Sequence, residues 1–238
     1  MAKIEQLNAQ AHKNIRIKPN ADVSDLSNQN ILPVVIAEFA NAMVEFPICF
    51  VQNPENKEYQ VVALMGIERG ENLFVEGTEW DASYMPARYT HAPFGLLRNP
   101  QDENQYGIAL DVEHKQISDS EGELLFTESG EETEFLTKQK EAMTKYLEQE
   151  HMTRRFCKEL VDFDLLTTRN IAVSIGEKRM SVDGVAMVDE EKLSKLSDED
   201  FLKIRKKGML PAIYSHLNSM SQMTNLLKRK SKRLNAAN

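Results

Sequence analysis

Residues 80–100 read WDASYMPARYTHAPFGLLRNP, a stretch dense in groups able to do recognition chemistry. Trp80, Tyr84, Tyr89 and Phe94 supply aromatic faces, Arg88 and Arg98 supply cations, His91 supplies an imidazole, and Pro86, Pro93 and Pro100 stiffen the path. A planar guanidinium such as Arg88 forks a carboxylate or phosphate, while a Trp80 or Tyr84 ring offers a stacking face. Fixed φ at the prolines, and the restricted residues before them, hold such side chains toward a shared cleft. Trp80, Tyr84, Arg88, Tyr89 and His91 are therefore the candidate ligand-binding residues. The same composition also describes a folded corner, in which Trp80, Tyr89 and Phe94 are core and Arg88 pairs with an internal acid.

Other chemistry finds less support. Asp111, Glu113 and His114 lie together in DVEH, but on a strand the two carboxylates share one face and His114 points to the other. A two-histidine iron site would need His91 to come in from elsewhere, so no metal or cofactor is expected. Cys49 and Cys157 are the only cysteines and suit reduced, buried thiols rather than a disulfide framework. Ser215 and His216 are adjacent on a helical stretch, where neighbours do not face each other, and no Gly-x-Ser-x-Gly elbow or phosphate loop is present. These features give no catalytic residue.

The chain of 238 residues is 41% apolar, enough for a sizeable core. Its formal charge of −8 is unevenly spread, because acids crowd residues 101–150 and none follows Asp200. The end, KRKSKR, reads as a solvated helix tip rather than a nucleic-acid surface, since no aromatic residues interleave the cations. No apolar run is long enough for a membrane span and the polar N-terminus lacks a secretory h-region, so a cytoplasmic protein is expected.

Residues 1–30 read as an extended N-terminal arm, 31–227 as the main domain and 228–238 as a basic tail. Val34 to Ile36 suits a buried strand, Glu38 to Glu45 one or two helical turns, and the run from Pro47 to Val51 a second strand. EYQVVALMGI and QYGIALDVEH read as further strands. GENLFVEG at Gly70 and GELLFTESG at Gly122 echo each other as Gly-Glu-x-Leu-Phe-x-Glu, two similar turns that each feed a short strand and pack a Phe. Phe135, Leu136, Met143, Leu147, Phe156, Leu160 and Phe163 recur at helical spacing and predict a long or broken helix over about 132–166. NIAVSIGEKRMSVDGVAMVD predicts a hairpin turning near residues 176–178. Ser197 suits an N-cap, Gly208 a helix stop, and the last segment an amphipathic helix with Ile213, Leu217, Met220, Met223 or Thr224, and Leu227 on one stripe. Met209, Met220 and Met223 read as core rather than an adaptable partner face. The expected class is α+β: a mostly antiparallel sheet in the N-terminal half and a helix-rich C-terminal half with an intervening β hairpin.

AEFANAMVEFPICF, ALMGIERGENLFVEGTEWDASYMPARYTHAPFGL, GELLFTESGEETEFL, the hairpin with its Asp-Gly, and GMLPAIYSHLNSM together resemble the bacterial SapC family, in order over roughly residues 30–225. That family is named from a surface-layer locus, and its members are often encoded near flavin-dependent tryptophan-halogenase-like proteins. It is neither the peptide-transporter permease nor the saposin of the same name, whose membrane spans and cysteine framework this chain lacks. The resemblance implies no catalytic residue. It implies a non-catalytic binding or accessory protein with a protein partner, possible partners being a halogenase-like or oxygenase-like flavoprotein, and with room for a small-molecule ligand. A surface-layer structural or assembly role is the alternative, and a small enzyme using a cleft around Arg88 is the third.

Overall fold

The computed structural model of the chain describes residues 3–19, 22–99, 102–176 and 178–236. In chain order β1 (Ile4–Gln6), α1 (Ala9–His12) and β2 (Arg16–Ile17) come first, then β3 (Ile31–Pro33), α2 (Phe39–Ala42), β4 (Ile48–Gln52) and β5 (Tyr59–Leu64). The two-residue strands β6 (Val75–Glu76) and β7 (Glu79–Trp80) lead to α3 (Ala87–Thr90), β8 (Phe94–Asn99), β9 (Asp102–Asp111), β10 (Ile117–Ser118) and β11 (Glu123–Leu124). Helix α4 (Glu134–Asp162) precedes the hairpin β12 (Leu166–Ile175) and β13 (Lys178–Val188), after which come α5 (Glu190–Ser194), α6 (Asp198–Lys206), α7 (Leu210–Ser219) and α8 (Met223–Ala236). The α+β expectation holds, with antiparallel pairing throughout the described sheets.

The chain divides into two compact units. The first unit is residues 1–21 with 87–148, and the second is residues 22–86 with 149–238. In the first, β1-β9-β8 and β10-β2-β11 form two three-stranded sheets. Their apolar faces meet α4 in a core of Ile17, Phe94, Leu110, Leu125, Phe126, Leu136 and Met143. The stretch expected as an extended arm is therefore folded: β1 pairs with β9, Asn8 caps α1 by accepting from Ala11 N, and His12 and Ile17 are buried. Strand β9 ends at Asp111, so Glu113 and His114 lie in a turn and strand alternation does not govern them.

The second unit is built on a five-stranded sheet of order β12-β13-β4-β5-β3, which absorbs the predicted hairpin. Glu177, at the expected hairpin turn, lies outside the described residues, as does Pro100. Phe39 and Phe50 pack on Phe156 of α4 at 6.2 and 6.3 Å between ring centroids, and burying that one Phe contributes roughly 2–3 kcal/mol. Val34 to Ile36 differs from expectation. The strand is Ile31–Pro33, and the chain then tips into a turn because the Glu38 carboxylate accepts from Val35 N at 2.8 Å.

Helix α4 starts where Thr133 Oγ1 accepts from Leu136 N at 3.3 Å, and α6 starts where Ser197 accepts from Asp200 N. The final segment is α7, one short 3-10 turn and α8 rather than a single helix. Its most buried positions are Ile213, His216, Ser219, Leu226 and Lys230, whereas Leu217, Met220, Met223 and Leu227 are half-buried. Among the described residues no helix is long and apolar enough to cross a membrane.

Candidate functional site

Trp80 and Tyr84 belong to the second unit, and Arg88, Tyr89 and His91 to the first. The Trp80 ring lies 6.1 Å from Phe46 and 6.0 Å from Phe74, and its Nε1 donates to the Tyr84 carbonyl at 2.8 Å. The Tyr84 hydroxyl donates to the buried Glu38 carboxylate at 2.5 Å. These two residues thus hold a corner of the second unit together, with both rings half-buried. Arg88 is exposed on α3 and makes no ion pair among the described residues, which excludes a buried Arg88 pair there. Burial pushes the Tyr89 phenol up, with the Arg88 charge pulling the other way, and the His91 imidazole stands edge-on to Tyr146 at 5.7 Å.

The residues interleaved with these three do line a cavity. Thr90, Ala92 and Phe94 share its wall with Ile17 and Lys18 beside β2, Gln116, the turn at Gly122 and Glu123, and Phe135 of α4, all within the first unit; the volume is about 340 Å³. Such a volume is near the lower bound of small-molecule sites, roughly 300–1,000 Å³. The floor is apolar, since Ile17 and Phe94 belong to the core and Phe135 packs against it. Glu123 stands opposite Ile17 in the β2–β11 ladder and is exposed, while Lys18 is half-buried. Neither makes an ion pair among the described residues. Gln116 is 7% exposed; its Nε2 donates to the Lys18 carbonyl at 3.3 Å, and its Oε1 accepts from no donor among the described residues. Gly122 fixes the wall: at φ +99 its missing Cβ would lie 2.2 Å from the Ile17 carbonyl oxygen, so only glycine lets the turn close on β2.

The echo of this turn, at Gly70, is occupied by the chain itself. Oε1 of Glu71 accepts from Ile67 N and Glu68 N at 3.1 and 3.0 Å, and Oε2 accepts from Lys230 Nζ of α8 at 2.6 Å. Lys230, buried, also donates to Glu68 at 2.5 Å. Arg229 lies 4.2 Å above the Phe74 ring and donates to Asp81, and Arg233 donates to the Asn72 and Val75 carbonyls at 2.9 and 3.0 Å. Of the basic tip expected to be solvated, Arg229, Lys230 and Arg233 are spent on this turn, while Lys228 and Lys232 are exposed.

A family model named SapC matches residues 7–226. The chain belongs to the SapC family. No curated protein and no solved structure matches it. The match starts inside the folded N-terminal segment and takes in Lys18, the Gly122 turn and all of α4, and it ends within α8.

In this SapC-family chain the reactive groups weighed as nucleophiles serve the sheet. Strands β13 and β4 pair at Val185 with Val51 and at Ala186 with Phe50, a register that would next bring Val188 opposite Ile48. There the His216 ring intervenes, its Nε2 accepting from Val188 N at 3.0 Å and its Nδ1 donating to the Ile48 carbonyl at 2.8 Å. Ser219 Oγ accepts from Ile48 N at 2.9 Å and donates to the His216 carbonyl at 2.5 Å. Burial lowers the His216 pKa to about 4, so the ring is neutral. Cys49 and Cys157 are buried, and desolvation pushes both thiols up to about 12. Asp111 accepts from Lys3 N and Glu113 N, and no three His, Cys, Asp or Glu side chains cluster as a metal would require among the described residues.

Sequence reasoning missed Lys18, Gln116 and Glu123. The available signal was the echo itself, which places Glu123 where Glu71 stands. A second cavity, of about 390 Å³ and within the second unit, is walled by Ile36, Phe156 and Met209, and there Glu159 and Lys207 already pair with each other.

Proposed function

We propose that this SapC-family protein works by binding a small ligand in the first unit's cavity, as an accessory to a partner protein. The observation that carries the reading is a walled, apolar-floored cavity whose charged residues, Lys18 and Glu123, are uncommitted. The commitment of both thiols and of His216 to buried structural positions favours binding over catalysis by those groups. The family resemblance supplies the partner class, a flavin-dependent tryptophan-halogenase-like or oxygenase-like protein, and a cytoplasmic setting accords with it.

The test is affinity purification of the tagged full chain from lysate of its own source, with mass spectrometry of co-purifying proteins and of small molecules released on denaturation. The reading expects a small molecule in near-stoichiometric amount that is lost in Gln139→Trp, a substitution on α4 that fills the cavity from its wall. It also expects a flavoprotein in the same eluate. A small molecule retained by Gln139→Trp places binding elsewhere, and an eluate with neither component overturns the reading.

A further inference from the structure

We infer that the first unit's cavity recognises a free α-amino acid with an apolar side chain, its ammonium taken by Glu123 and its carboxylate by Lys18. The inference rests on the cavity reading above and gives the ligand its chemistry.

Three observations converge on that class. The first is charge: Lys18 and Glu123 both line the cavity, are opposite in sign, and make no ion pair with each other or with any other described residue. A lone anion would leave Glu123 idle or repelled, and a lone cation would do the same to Lys18. A zwitterion satisfies both, and charge-assisted hydrogen bonds of this kind are the stronger ones. The second is the echo. In the Gly70 copy of the turn the equivalent carboxylate, Glu71, takes a primary ammonium, that of Lys230, at 2.6 Å. The carboxylate after the glycine takes an ammonium in the Gly70 copy; Glu123, its counterpart in sequence, stands on β11, and no lysine of the described chain fills that role there. The third is Gln116, 93% buried and also lining the cavity, whose Oε1 lacks a donor among the described residues. An ammonium carries three donors, two more than a single carboxylate contact uses. Ile17, Phe94 and Phe135 then form the surface on which an apolar side chain is buried.

The experiment is a titration of the isotope-labelled full chain followed by amide resonances of Thr90, Ala92 and Gly122. The probes are L-phenylalanine, phenylpropionate, which lacks the ammonium, and phenethylamine, which lacks the carboxylate. Phenylalanine is expected to bind about tenfold more tightly than either analogue, since each loses a hydrogen bond to a charged group. Glu123→Gln should weaken phenylalanine about tenfold and leave phenylpropionate unchanged, and Lys18→Gln should weaken phenylalanine and leave phenethylamine unchanged. Wild-type melting temperatures for both variants show that the losses are local. Equal affinities for the three probes in the wild type overturn the amino-acid inference while leaving the cavity as a binding site. Failure of every probe to move these three amides overturns the cavity reading as well.

Discussion

The turns at Gly70 and Gly122 share Gly-Glu-x-Leu-Phe, bury the same Leu and Phe, and differ in what covers them. At Gly70 helix α8 supplies three cations, and each of its contacts ends on a carboxylate, a carbonyl or the Phe74 ring. At Gly122 the Arg16 guanidinium donates to the Gly122 carbonyl at 2.9 Å, but no cation of the described residues pairs with the Glu123 carboxylate, and Glu123 borders a cavity. The local sequence sets how the chain bends and which side chains go inward. What arrives from a distance decides whether the carboxylate at the turn is a structural group or a spare one.

The largest contrast is expected from the glycines themselves. Gly122→Ala forces a Cβ into the Ile17 backbone at φ +99 and should destabilise by more than about 3 kcal/mol. Gly70→Ala meets nothing within 4 Å and should lose only the left-handed backbone term, about 1–2 kcal/mol. Urea unfolding of the two variants measures both, and equal losses would break the contrast between a turn pressed onto a strand and one in open space.

A pH series separates the units next. His216 has a folded pKa of about 4 against 6.5 unfolded, so its contribution is complete above pH 6.5 and is lost as pH falls toward 4. The loss totals about 3 kcal/mol. Hydrogen exchange at pH 5 should show it in β4 and β13 of the second unit, at Ile48 and Val188, and not in β2 and β11 of the first. His216→Gln, which can make both hydrogen bonds without titrating, should flatten the slope between pH 6.5 and 4.

Lys230→Met should destabilise by about 2–3 kcal/mol, because it strands the largely buried Glu71 carboxylate. Truncation after Asn225 should destabilise at least as much, since it also removes the Arg229 and Arg233 contacts. A tail removable without change in melting temperature would return these residues to the solvated tip expected from composition.

Much of the frame was legible in the chain. The spacing of Leu136, Met143, Phe156 and Leu160 marked α4, Ser197 marked the start of α6, and the paired motifs marked two turns that each bury a Phe. Local chemistry wrote those features, within a few residues of themselves. The stripe along the last helix was misjudged because His216 and Ser219 look polar until their partners at Ile48 and Val188 are seen, 168 and 28 residues away for the two ring nitrogens. The idle state of Glu123 and the engaged state of Glu71 were equally hidden, since Lys230 lies 159 residues from Glu71. The aromatic corner drew attention to Trp80 and Arg88, while the cavity formed around Thr90, Ala92 and Phe94 a few positions on.

The most direct measurement is the unfolding free energy of Glu71→Ala beside Glu123→Ala in urea at neutral pH. Glu71→Ala should lose about 2 kcal/mol or more, because Ile67 N and Glu68 N lose their acceptor and Lys230 loses a partner. Glu123→Ala should stay within about 0.5 kcal/mol of wild type, as an exposed and uncommitted side chain does. Similar losses in the two variants would contradict the account, because Glu123 would then be holding the fold together and would not be free to hold a ligand.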